Sequence, residues 1–164
     1  MKQAILAFLE KNNEIEKIRR KYDPFYKKYK THLTLTYSFG GIPRKEIYEG
    51  IKKAIKGIKP FNLVFRGLKK SKKEYYLYLL ANEGKDKIIK LKKNLGSKFL
   101  VKHRAINAPP HITLGIFKTK KQIDDALRNL KKENLIFNTK IKEIYLLNLT
   151  KNKNLISFRR FALK

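Results

Sequence analysis

Two tetrapeptides carry the residue types that do chemistry: His32-Leu33-Thr34-Leu35 and His111-Ile112-Thr113-Leu114. Each reads histidine, apolar, threonine, apolar, inside a segment that alternates like a β-strand. Side chains on a strand point alternately to opposite faces, so histidine and threonine share one face and the apolar pair takes the other. With apolar residues at 42% of the chain and only three histidines, a given histidine opens this pattern by chance roughly 1% of the time. Two of three doing so is on the order of one in several thousand. The pattern predicts two strands facing each other across a cleft, with one imidazole on each side of a substrate phosphate. An ordinary histidine pKa of about 6.5 lets one ring be neutral while its partner is protonated. The neutral ring takes a proton from an attacking hydroxyl or water, and the protonated ring gives one to the leaving oxygen. Each threonine is spaced to hydrogen-bond a non-bridging phosphate oxygen. The motifs bring no acid to the cleft face, and two histidines alone make a poor ligand set, so no metal is expected.

Other elements must hold these strands in place. Residues 3–10 are apolar almost throughout and predict a strand buried on both faces. Asn12 or Asn13 caps a helix over 14–21, which Asp23-Pro24 stops. In the strand over 31–39, His32, Thr34, Thr36 and Ser38 take one face, and Leu33, Leu35, Tyr37 and Phe39 take the other. Pro43 opens a helix to about residue 56. Alternating apolar residues predict strands over 61–65 and 75–81, and a helix follows to about Asn94, closed by Gly96. In the second motif strand, parity places His111, Thr113, Gly115 and Phe117 together, opposite Ile112, Leu114 and Ile116. Thr119 caps a helix over 120–132, residues 135–149 form one long strand or two, and 155–163 form the last.

Residues 3–68 and 75–149 follow the same order: strand, helix, histidine strand, helix, strand. Ile5 answers to Tyr76, His32 to His111 and Phe61 to Phe137. Such a duplication implies one α+β domain over residues 1–164, with halves of approximately 1–70 and 71–164. Its two antiparallel sheets, with outer helices, would face each other across a central cleft by a pseudo-twofold axis, bringing the histidines together.

Composition narrows the partners. Lys and Arg total 41 against 13 Asp and Glu, a formal net charge of +28. This excess asks for a polyanion, with nucleic acid the leading choice. The chain has no cysteine, which excludes disulfides, thiolate catalysis and cysteine-based zinc sites. No apolar run reaches the roughly 18–20 residues of a membrane span. The N-terminal apolar stretch lacks a cleavage-like end and reads as a strand, leaving the cytoplasm as default compartment and a monomer as default state.

The tetrapeptide pair, one per half of a duplicated chain, resembles the two-histidine phosphoesterase superfamily and, within it, the 2′-5′ RNA ligase-like family. The resemblance extends to the apolar first strand, Pro110 just before His111 and the final pair of strands. It implies two lobes around a cleft, with exchange of terminal strands between them. It implies a reaction free of metal, nucleotide and other cofactors that opens 2′,3′-cyclic phosphate ends of tRNA or another RNA, typically to 2′-phosphates. The same site would also join such an end to a 5′-hydroxyl through a 2′-5′ linkage. His32 and His111 would be the acid–base pair, and Thr34 and Thr113 the phosphate holders. Many family members carry an arginine soon after the second motif. Here the nearest basic residue is Lys118, which lacks the bidentate fork of a guanidinium.

Secondary candidates have two readings each. Phe117 stacks a substrate base, or packs on a neighbour at the strand end. His103, beside Lys102 and Arg104, lines an RNA path with Arg104 or lies on the surface. Tyr22, Phe25, Tyr26 and Tyr29 among lysines stack bases or form a packed connection. The whole chain also has an alternative reading as a basic RNA-binding protein on this scaffold with little or no turnover.

Overall fold

The computed structural model describes residues 2–71, 74–99 and 108–164. The elements run β1 (Lys2–Phe8), α1 (Asn13–Tyr22), β2 (His32–Phe39), α2 (Arg44–Ile55), β3 (Phe61–Lys70) and β4 (Tyr76–Ala81). They continue with α3 (Lys85–Phe99), β5 (His111–Ile116), α4 (Lys120–Lys131), β6 (Ile136–Ile141), β7 (Glu143–Leu149) and β8 (Leu155–Ala162). Local signals set several boundaries. The Asn12 side chain accepts from the Ile15 N–H at 3.0 Å, and Thr119 accepts from the Gln122 N–H at 3.3 Å. These caps satisfy donors that a helix start leaves unpaired. Acids in the first turn of α1 and bases in its last turn follow the helix dipole.

Two four-stranded sheets result, ordered β2-β1-β7-β8 and β5-β4-β3-β6. Every pairing is antiparallel. The stretch over 135–149 is two strands, broken at Lys142, with β6 in the second sheet and β7 in the first. Chain order and position in the sheets part company here. β3 follows the first motif in the chain yet lies beside β4, and β7 takes the corresponding place beside β1. The strands exchanged between the sheets tie the two lobes together. The helices cross over as well: α1 packs on β5 and α3 packs on β2. α3 also runs on through Gly96 to Phe99, past the expected stop.

One apolar core spans both sheets. Ile5, Leu33 and Leu35 from the first sheet join Phe65, Leu79, Ile112, Leu114 and Phe137 from the second. Phe65 and Phe137 stack at 5.7 Å between centroids. The apolar members of both tetrapeptides are therefore core residues. That burial fixes which face of β2 and β5 carries the histidines.

Candidate active site

β2 and β5 each form one edge of their sheet, and the two strands are in contact with each other. His32 and His111 open these two strands. Both rings are half-buried and held by the same bond. Nδ1 of His32 donates to the Lys30 carbonyl at 2.7 Å, and Nδ1 of His111 donates to the Pro109 carbonyl at 2.7 Å. A carbonyl only accepts, so the neutral rings carry their proton on Nδ1 and leave Nε2 bare. Thr34 and Thr113 follow, half-buried, on the histidine face, while Leu33, Leu35, Ile112 and Leu114 are at most 2% exposed.

Electrostatics act alike on the two rings. Burial pushes the His32 pKa below the ordinary value, with Arg19 adding to the drop and the Lys30 carbonyl and Asp23 opposing it. Burial pushes His111 down as well, opposed by the Pro109 carbonyl and reinforced by the charges of Lys92, His32 and Lys69. The Tyr78 ring lies 3.9 Å from the His111 ring, and burial raises the Tyr78 phenol to about 12. Tyr78 therefore stays protonated beside the imidazole. Its place was open to inference from β4 alternation, since Tyr76, Tyr78 and Leu80 share one face.

Strand parity fails beyond each motif, at the same point. Leu6 pairs with Thr34 and Ile5 with Thr36, so Leu35 is an extra residue on β2. Tyr78 pairs with Thr113 and Leu77 with Gly115, so Leu114 is an extra residue on β5. A bulge of this kind turns the side chains that follow it to the opposite face. Thr36 goes inside, 1% exposed, where its hydroxyl accepts from the Ile5 N–H at 3.0 Å. Tyr37, expected in the core, is 53% exposed. It lines a pocket with Thr34, Leu35, Lys92, Ala108, Pro109 and His111.

The second bulge revises the placement of Phe117. Gly115 faces α1 so closely that a Cβ there would sit 2.7 Å from Tyr22 Cβ and 2.9 Å from the Phe117 ring. Phe117 packs on Tyr22, 5.6 Å between centroids, and on the core. It therefore takes its packing role, and the aromatic ring on the pocket wall is Tyr37. Lys118 is exposed at the turn into α4, with its N–H bonded to Gln122. His103 and Arg104 lie outside the described residues.

Of the aromatics before His32, Tyr22, Tyr26 and Tyr29 are partly buried and Phe25 is exposed. Tyr22 is joined to Phe117, and Tyr26 lies under Arg19 and Arg20. The Tyr29 hydroxyl donates to the Lys153 carbonyl, while the Tyr29 ring meets the His32 ring edge-on at 6.3 Å. Two buried cations were invisible in the sequence. Arg19 of α1 is 3% exposed and Lys92 of α3 is 4% exposed. Nothing in local spacing separates Lys92 from the many solvated lysines.

Comparison with known proteins follows this geometry. The sequence matches the family model described as 2'-5' RNA ligase superfamily over residues 8–153. A search of curated proteins returns no significant match. Among solved structures, Usb1 of Kluyveromyces marxianus is similar with a TM-score of 0.62 at 11% identity, covering 99% of this chain and 98% of that one. TT0787 of Thermus thermophilus is similar with a TM-score of 0.58 at 16% identity, over 99% of this chain and 98% of that one. LigT of E. coli in its apo form is similar with a TM-score of 0.52 at 16% identity, over 100% of this chain and 96% of that one. At these identities the structures establish the shared fold.

Proposed function

Because the chain belongs to the 2'-5' RNA ligase superfamily, we propose that it acts on RNA ends bearing a 2′,3′-cyclic phosphate, with His32 and His111 as its acid–base pair. The carrying observation is the duplication of one local device. Two edge strands meet, each beginning with a histidine whose Nδ1 is held by a carbonyl and whose Nε2 is bare. In the hydrolytic direction, the neutral ring takes a proton from water as the oxygen attacks phosphorus. The 3′-oxygen leaves with a proton from the protonated ring, and a 2′-phosphate remains. In ligation, a 5′-hydroxyl replaces water and the product is a 2′-5′ phosphodiester. Thr34 and Thr113 donate hydroxyl hydrogen bonds to the non-bridging oxygens as charge grows there. Support for RNA comes from the family and from the net charge of +28.

The test is hydrolysis of a 2′,3′-cyclic nucleotide, followed by product analysis on an RNA with a cyclic end. His32→Ala and His111→Ala should each lower kcat by ~10²–10⁴-fold, with the fold intact and no sensitivity to chelator. Turnover surviving both substitutions, or RNA binding with no turnover in the wild type, overturns the proposal.

A further inference from the structure

The two halves repeat a second device beneath the histidines. Arg19 of α1 donates to the Tyr29 carbonyl at 2.8 Å, and Tyr29 stands three residues before His32. Lys92 of α3 donates to the Ala108 carbonyl at 2.8 Å, and Ala108 stands three residues before His111. α1 and α3 hold corresponding places in the duplication, each preceding its histidine strand. In both halves a buried cation thus braces the chain just ahead of the histidine.

The two cations differ in what else surrounds them. Arg19 is fully engaged: it pairs with Asp23 at 2.7 Å, bonds the Thr31 hydroxyl at 2.8 Å and lies 3.7 Å from Glu16. Lys92 has one neutral acceptor and, among the described residues, no ion pair. Glu46 and Glu49 of α2, the helix packed on α3, make none with it, and neither does Asp86 of its own helix. The groups sharing its pocket are Thr34 and Tyr37 of β2 and His111 of β5. An ammonium carries three donors, so two remain after Ala108. A buried charge without a counter-charge is costly, and such groups cluster where a ligand completes them.

We propose that Lys92 is the phosphate-binding cation of this site, its ammonium donating to a non-bridging oxygen of the substrate beside Thr34 and His111. This rests on the cyclic-phosphate reading above and gives the phosphate a buried positive charge, whereas Lys118 is exposed at the turn into α4. Burial lowers the Lys92 pKa to about 8, so the group is charged at neutral pH and becomes neutral just above it.

The test is calorimetric binding of a nucleoside 2′-monophosphate to the full chain between pH 7 and 9.5. Across most of that range the phosphate is already a dianion, its second pKa being about 6. The imidazoles are neutral in the free protein, and any proton they take up beside the bound dianion is common to wild type and the Lys92 variants, while the Tyr78 phenol stays protonated. Affinity should hold near pH 7 and fall about tenfold or more by pH 9.5, with up to one proton taken up per ligand bound near pH 8.5. Lys92→Met should bind about tenfold more weakly at pH 7.5 and lose most of the pH dependence above pH 8, while Lys92→Arg retains binding at high pH. A neutral lysine amine still donates to the Ala108 carbonyl. A purely bracing role therefore predicts the same pH dependence in wild type, Lys92→Arg and Lys92→Met, and that result overturns the proposal, as does flat wild-type affinity or an absence of measurable 2′-phosphate binding. Lys92→Arg, which keeps the charge but does not titrate in this range, decides the matter even if Lys92→Met does not fold: a fall in affinity toward pH 9.5 as large as in wild type overturns the proposal. Wild-type hydrolysis of the cyclic nucleotide with pH-flat product binding refutes Lys92 alone. Absence of hydrolysis refutes the broader function.

Discussion

At the scale of the residue, two neutral imidazoles pose a problem for acid–base chemistry. Burial depresses both pKa values, so at pH 7 neither ring of the free protein holds the second proton that a general acid needs. The free enzyme is therefore best poised on the acid side of about 6.5, where one ring begins to protonate. A bound phosphodiester brings a negative charge, which raises both pKa values. The profile of kcat/KM for a 2′,3′-cyclic nucleotide should accordingly peak below pH 6.5, while that of kcat peaks closer to neutrality. Coincident profiles would show that substrate charge does not retune the pair. His32, Thr34, His111 and Thr113 were legible because the chain states their pattern twice. Tyr37 and Phe117 were misplaced because a bulge depends on the partner strand, which parity along one strand does not report. Lys92 was illegible because its surroundings, among them Thr34, Tyr37, Ala108 and His111, come from segments distant from it in the chain.

At the scale of the element, the two bulges do the positioning. Leu35 and Leu114 each lengthen an edge strand by one residue directly after the His-x-Thr triplet, which lets the motif face the cleft while the next residue returns inside. On β2 the returning residue is Thr36, whose hydroxyl takes the Ile5 N–H. On β5 it is Gly115, where α1 leaves no room for a methyl group. Gly115→Ala should thus cost about 1–3 kcal/mol in urea unfolding, as overpacking does. Because the clash is met by moving β5 or α1, kcat should fall too, by more than the change in folded fraction explains. Unchanged stability and turnover would mean that α1 yields freely. Helix starts were readable because Asn12 and Thr119 cap through their own neighbours. The exchange of β3 and β7 between sheets could not be derived from residue spacing, since pairing partners distant in the chain are chosen by the assembled core.

At the scale of the whole molecule, the charge separates the substrate's end from its body. Thirteen acids can neutralise at most thirteen of the 41 basic side chains. Ion pairs such as Arg66 with Glu83 and Lys142 with Glu10 lie at exposed positions and contribute little stability, whereas the Arg19–Asp23 pair is buried. The remaining basic side chains create a long-range field that draws a polyanion to the protein and is screened by salt. A mononucleotide cyclic phosphate meets mainly the cleft, whereas an RNA also displaces counterions along its length. For single strands, log K falls against log salt with a slope of about −0.7 for each phosphate neutralised. Between 50 and 300 mM salt, kcat/KM for an RNA with a cyclic end should therefore fall with a slope of about −2 or steeper, while that for the mononucleotide changes by less than about threefold. His32→Ala should lower turnover of both substrates by ~10²–10⁴-fold yet leave the salt slope of RNA binding intact, because the imidazole pair acts on one phosphate and the surface on many. Equal salt dependence for the two substrates would confine recognition to the cleft and leave the net charge without a role in choosing RNA.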